Sequence, residues 1–421
     1  MGVGAVRVSS VRVGSVRAGR RSGIAVALSL TLFAAGCAGG GDELSPESVA
    51  FGAAIEADYG GDGPGSLISA EEMLTIDRRV SSISSVAARV LYASTSGVDG
   101  SETEVSGTVF APQGSPPEGG WPVIAYGHGT TGVLPDCAPS TDPELLGSSP
   151  IVAALVRSGY VVAVSDYQGL GVESTYHPYL DATTAGYNLI DSVRAAQKLV
   201  PGTSNRWAAF GGSQGGQAAW AANELAESYG TGLTVVGSVS LVPAADIAGL
   251  AGAAATGTLT ADQKPLLQWV LVGLAESYPD IDLDDYRRGT VEEYWNELSS
   301  CGGPLAEDRT AIAAQIGDDD LRPSTPEAEQ VLESYLREMS LPLGPAAAPM
   351  LVLYGGEDSL ITQAWTDGAV AAGCAVGDSI QSVLQPEAGH ADIDGAAAFP
   401  WLSDRFAGVP AVSYCPVNTG P

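Results

Sequence analysis

Gly211-Gly212-Ser213-Gln214-Gly215 is the first pattern in this 421-residue chain that could do chemistry. A serine between small residues suits a sharp strand–turn–helix, because only small neighbours let the backbone pack close while Oγ is pushed outward. The plain alternative is a glycine-rich loop in a chain with 54 glycines. Context separates the two: Trp207 to Phe210 reads as a strand before the motif, and Gln217 to Tyr229 as a helix after it. A nucleophilic serine needs a neutral imidazole to take its proton and a carboxylate to orient that imidazole. The chain has three histidines, His128, His177 and His390. At a strand–turn–helix serine the chain order is serine, acid, histidine, and His390 alone follows Ser213. Between them the apolar run Met350 to Tyr354 leads into Gly355-Gly356-Glu357-Asp358, 32 residues before His390. Asp358 is the expected acid. Glu357 is expected to point away, and Asp378, Asp392 and Asp394 have no strand to deliver them.

Acyl transfer also needs backbone N–H groups aimed at the developing oxyanion. One comes from the residue after the nucleophile, here Gln214, and the other from a loop after an earlier strand. Tyr126-Gly127-His128-Gly129-Thr130-Thr131-Gly132 follows such a strand, which makes Thr130 the second expected donor. His128 then shapes the loop and is not the base. Asp166 ends another strand but precedes Ser213, so it reads as structural support.

The elements that must position these groups alternate. Ser81 to Pro112 reads as a β-hairpin broken at Gly97 and Gly100. Trp121 to Tyr126, Tyr160 to Ser165, Trp207 to Phe210, Val235 to Val242 and Met350 to Tyr354 read as strands. Ile151 to Ser158, Gly186 to Leu199 and Gln217 to Tyr229 read as helices. This alternation predicts an α/β fold with a mainly parallel central sheet flanked by helices and a site at the strand C-terminal ends. Residues 245–345 read as helices with acidic loops and no clear strand. They predict a helical cap inserted before the strand that carries Asp358, dividing a core of residues 65–244 and 346–421.

Charge narrows the partners. The chain carries 49 acids and 19 bases, and only Lys198 and Lys264 are lysines. Such a body repels phosphate backbones, so nucleic acid is not an expected partner. Five arginines lie before Cys37, with no acid among them, and Gly23 to Ala35 is a 13-residue apolar stretch. That stretch is too short to span a bilayer and has the length of a signal core, so residues 1–36 read as a signal peptide. Ala34-Ala35-Gly36-Cys37 is similar to a bacterial lipobox, which makes Cys37 a candidate for lipidation and membrane attachment. Residues 37–64 read as a flexible linker. Cys137, Cys301, Cys374 and Cys415 remain, an even set that suggests two disulfides in an exported chain, with three possible pairings. No Cys-x-x-Cys occurs. The aspartates around 280–285 lack the glycine and the glutamate of a calcium loop, so no metal site and no cofactor is expected.

Several stretches together resemble the secretory lipase family of α/β-hydrolases. They are Tyr126 to Gly132, Asp166-Tyr167-Gln168-Gly169-Leu170-Gly171, Pro178-Tyr179-Leu180 before the Tyr187 to Gln197 helix, Gly211 to Gly216, Gly355 to Asp358, and Gly389-His390. The resemblance spans about residues 70–418, and the Asp-Tyr-x-Gly-Leu-Gly run is its most specific part. It implies the α/β-hydrolase fold, a helical cap, a Ser213–Asp358–His390 triad and hydrolysis of lipid or small carboxylic esters, acylglycerols among them. It also implies the pairs Cys137–Cys301 and Cys374–Cys415. An acyltransferase or peptidase using the same residues, or a surface lipoprotein keeping the fold for binding alone, are the other readings of this pattern.

Overall fold

A computed structural model describes residues 48–302 and 306–416. Among the described residues ten strands form one sheet: β1 (Phe51–Ala54), β2 (Leu67–Met73), β3 (Ser84–Thr95), β4 (Glu102–Pro112), β5 (Trp121–Gly127), β6 (Val161–Ser165), β7 (Thr203–Gly212), β8 (Thr234–Leu241), β9 (Met350–Gly355) and β10 (Ile380–Gln385). Their spatial order is β1-β2-β3-β4-β6-β5-β7-β8-β9-β10. The run from β1 to β4 and on to β6 is antiparallel. From β6 through β10 every pairing is parallel. This is the large, largely parallel sheet flanked by helices that characterises the α/β-hydrolase fold.

The side-chain period of two builds both cores. On one face Val123, Ala125, Ala163, Trp207 and Ala209 pack beneath helices Ala182–Leu199 and Gln214–Leu225, through Leu189, Val193, Ala218 and Ala222. On the other face Ile124, Val162, Phe210, Leu351 and Leu353 meet helices Ser149–Arg157 and Ala398–Phe406, through Val152, Leu155, Trp401 and Leu402. Strands covered on both sides read as unbroken apolar runs, which is why β5, β6 and β9 stand out in the sequence.

Several boundaries differ from the sequence reading. The linker expected over 37–64 is interrupted, because Phe51–Ala54 pairs with β2 as an edge strand. Four residues containing a glycine show no alternation, and only the partner strand fixes them as β. The signal peptide over 1–36, Cys37 and the start of the linker lie outside the described residues. Helix Ala182–Leu199 starts before its apolar period, because the Asp181 carboxylate accepts from the Thr184 N–H at 2.7 Å. Strand β10 and helix Gln363–Val376 were not expected from sequence; the helix ends on Gly377 in the left-handed region, φ 108°.

Between β8 and β9 the described residues form helices, the longer ones being Gly249–Thr256, Gln263–Ser277 and Pro326–Glu338, and no strand. They enclose their own core of Leu267, Val270, Leu271, Val291, Leu298 and Leu332. Both disulfides are those the resemblance implies. Cys137–Cys301 has a Cα–Cα distance of 5.1 Å and closes 164 residues of chain; Cys374–Cys415 has 5.3 Å and closes 41. The first joins the helical insertion to the segment after β5. Beside it the Gly302 N–H donates to the Thr131 carbonyl at 2.7 Å. Replacing Cys137 and Cys301 together by alanine should lower the unfolding free energy by about 2–5 kcal/mol. Urea titration of the variant and the parent under non-reducing conditions measures it.

Candidate active site

Ser213 sits between β7 and helix Gln214–Leu225 with φ 57° and ψ −118°, a conformation that L residues adopt only when forced. Two contacts force it. The Ser213 N–H donates to the Leu241 carbonyl of β8 at 2.8 Å. One residue into the helix, Gly215 lies against the end of β5; a Cβ there would stand 1.9 Å from the Gly127 carbonyl oxygen. Any side chain at 215 would lift the helix off the sheet. Gly212, by contrast, has room for a Cβ.

Asp358 and His390 arrive from loops after β9 and β10. Gly355 closes the gap between them, since a Cβ there would lie 2.2 Å from the Ala388 carbonyl oxygen. The Glu357 N–H donates to that same carbonyl at 3.0 Å. The Asp358 side chain is buried, and its Oδ1 accepts from the Leu360 and Ile361 N–H groups, both at 2.9 Å. Its Oδ2 lies 2.7 Å from His390 Nδ1, and His390 Nε2 lies 2.9 Å from Ser213 Oγ. A carboxylate only accepts, so Nδ1 carries the proton and Nε2 turns its lone pair to the hydroxyl. The three residues singled out in the sequence therefore stand in one hydrogen-bonded line. Glu357 is exposed, as are Asp392 and Asp394, and buried Asp378 accepts from the Ala346 N–H elsewhere.

Ser213 and His390 open into a cavity of about 420 Å³. Its walls include Thr130, Leu146, Leu266, Trp269, Arg309 and Leu360. Gln214 is the first residue of its helix, so its N–H has no partner within the helix. The Thr130 hydroxyl is engaged with the Tyr179 hydroxyl at 2.6 Å.

The family model for secretory lipases matches residues 147–414. The chain belongs to the secretory lipase family. It is an ester hydrolase, and membership of this family together with two disulfides marks it as exported. Among solved structures it is similar to Candida antarctica lipase A in its closed state, with 17% identity, a TM-score of 0.67, and coverage of 87% of this chain and 90% of that one. It is also similar to the rice cell wall degrading esterase LipA from Xanthomonas oryzae, with 21% identity, a TM-score of 0.62, and coverage of 83% and 97%. A protein from Legionella pneumophila gives 20% identity, a TM-score of 0.62, and coverage of 86% and 97%. At these identities the neighbours share the fold. No curated protein matches the sequence.

In this secretory lipase the Asp-Tyr-Gln-Gly-Leu-Gly run braces the site from below. Asp166 accepts from Ser106 Oγ at 2.6 Å and from the Ser140 N–H at 2.9 Å. The Tyr167 hydroxyl donates to the His128 carbonyl at 3.0 Å, which pins the loop that carries Thr130. Buried His128 has its Nδ1 2.7 Å from the Gly129 carbonyl, the loop-shaping place expected of it. His177 precedes Ser213 in the chain, so sequence order does not offer it as the base. Its Nδ1 donates to the Gln168 carbonyl at 2.8 Å, and its Nε2 accepts from Gln214 Nε2 at 3.0 Å. It thus links the Asp-Tyr-Gln run to the residue after Ser213. No sequence signal short of that pairing marks it.

Burial pushes the His177 imidazole down to about 3, against the donation to Gln168 that favours its charge. A folded-state value below the unfolded one means that the unfolded chain gains the proton first, so stability falls as pH drops through the unfolded value toward the folded one. Below about pH 6.5 this removes roughly 1.4 kcal/mol per pH unit. In His177→Asn, which keeps a donor for the Gln168 carbonyl, that component is absent. The stability gap between parent and variant should therefore narrow from about pH 7 to about pH 5, as read by urea unfolding at each pH.

Proposed function

We propose that this enzyme hydrolyses carboxylic esters, lipid esters and acylglycerols among them, through an acyl-enzyme on Ser213. The observation that carries the reading is the Asp358–His390–Ser213 line at the mouth of a largely apolar cavity. Ser213 Oγ attacks the ester carbonyl carbon while His390 Nε2 takes its proton. The tetrahedral oxyanion is held by the N–H groups of Gln214 and Thr130. The carbonyl re-forms, the alkoxide leaves with the proton from His390, and the acyl group stays on Oγ. Water then attacks that ester, gives its proton to His390, and releases the acid as Ser213 is reprotonated. Asp358 holds the Nδ1 proton in place and stabilises the imidazolium formed twice per cycle. In this reading residues 245–345 act as the cap. Leu266, Trp269 and Arg309 support it, because they come from that insertion and line the same cavity as Ser213.

The finer localisation in this reading is a lipoprotein, with Cys37 acylated after cleavage behind Gly36. What supports it is the apolar stretch followed by small residues directly before a cysteine. Several acyl chains would anchor the enzyme stably, where one would bind only marginally. Mass spectrometry of the mature N-terminus should find Cys37 carrying acyl chains; an unmodified N-terminus at another residue would refute this.

On p-nitrophenyl butyrate, Ser213→Ala and His390→Ala should each lower kcat by about a millionfold, and Asp358→Asn by about ten-thousandfold. Unchanged thermal unfolding would show the fold intact. A Ser213→Ala protein that turned over at the parent rate would end the acyl-enzyme reading.

A further inference from the structure

One cation in the cavity has no role in the mechanism above. Arg309 lies on helix Glu307–Ala313, and the residue is more than nine-tenths buried. Its guanidinium stacks on Trp269, with Cζ 3.5 Å from the ring centroid. Nε donates to the Leu298 carbonyl at 2.9 Å and Nη2 to the Pro265 carbonyl at 3.5 Å. Nη1 has no acceptor among the described residues, and the group lines the cavity shared with Ser213 and His390. No carboxylate pairs with it among the described residues. Arg194 and both lysines do have acid partners. The one acid in the cavity wall, Asp262, is exposed.

A buried charge without a counter-charge is costly, and neither two carbonyls nor an indole face repays it as a carboxylate does. Burial pulls the Arg309 guanidinium down to about 10, so it stays a cation at neutral pH. A guanidinium on an indole is not by itself a site. Arg405, also buried, sits over Trp401 against the outer face of β8. What sets Arg309 apart is its place in the wall of the reaction cavity, with donor capacity that the described residues do not take up.

We propose that Arg309 receives an ionised carboxylate carried by the substrate, so that this enzyme prefers esters bearing a free carboxylate a short methylene chain away from the scissile bond. The methylenes lie along Leu266, Trp269 and Leu360, and the carboxylate completes the guanidinium's donors in a bidentate pair. This rests on the ester-hydrolase reading and names its substrate class.

The test compares charged and neutral esters of the same length within each protein, so a general loss of activity cancels. Monomethyl adipate against dimethyl adipate puts the charge on the acyl side. Acetoxyhexanoate against its methyl ester puts it on the alcohol side. In the parent, kcat/KM should favour the charged member of at least one pair by about tenfold, mainly through KM. In Arg309→Met that ratio should collapse to about one or below, and Arg309→Lys should restore part of it. Added salt should weaken the parent's preference only modestly, because the pair is buried. A parent that shows no preference in either pair overturns the assignment, as does a ratio unchanged in Arg309→Met. In both cases steady hydrolysis of the neutral esters leaves the hydrolase reading standing. Failure of the parent to cleave any of the four esters or p-nitrophenyl butyrate overturns both.

Discussion

The contact between Gly215 and the end of β5 is the constraint on which the rest of the site depends. It brings the first turn of helix Gln214–Leu225 onto the Gly127 carbonyl, and so forces Ser213 into its positive-φ turn. Such a backbone costs on the order of 1–3 kcal/mol at a non-glycine residue. The helix that follows offsets it by burial. Ala218, Ala219, Trp220, Ala221 and Ala222 are all inaccessible to solvent, wedged between the sheet and its neighbours. Small residues let the helix lie close, and the close helix makes the turn sharp. Packing thus sets the geometry of the nucleophile, and the helix's own propensity is secondary.

A second layer transmits this rigidity to the loops. Tyr167, itself at φ 71°, holds the His128 carbonyl, while Gln168 is fixed by the Asn188 side chain through a 2.9 Å bond to its N–H. His177 carries the connection from Gln168 to Gln214. Both expected oxyanion donors are therefore tied, within two hydrogen bonds, to the same buried run after β6. Electrostatic stabilisation of an oxyanion relies on donors that need not reorganise during reaction. Here the Tyr167 hydroxyl, the Gln168 N–H, both His177 ring nitrogens and Gln214 Nε2 are paired, and such paired buried groups hold the loops in place.

The candidate site is legible because it rests on residue types that the chain uses sparingly. With three histidines and one downstream of Ser213, elimination selects His390 as the candidate base, and the strand before Asp358 selects the candidate acid. The buried parallel strands were legible because both of their faces are covered, which leaves apolar runs in the sequence. What stayed hidden depends on pairing across distance. Phe51–Ala54 is a strand only because β2 lies beside it. Strand β10 reads Ile-Gln-Ser-Val-Leu-Gln, half-polar because it closes the sheet edge, and parallel pairing with β9 defines it. The link from His177 to Gln214 spans 37 residues, and no local spacing announces it. Arg309 is one base among nineteen in a charge count, since its place beside Ser213 comes from the helices between β8 and β9 supplying part of the same cavity wall.

The acidity of the chain does not oppose an anion in this cavity. A formal net charge of −30 is spread over the surface, where ions screen it within about 8–10 Å. Exposed carboxylates such as Asp58 and Asp318 have lysine partners or face water, and their field fades across solvent. Arg309 is withdrawn from that screening, and its field acts through protein and across a short gap. A negative ligand approaching the body meets a weak, screened repulsion. Inside the cavity it meets one positive charge held by Trp269 and two carbonyls. Surface charge governs solubility and approach, while the single buried charge governs which ligand stays.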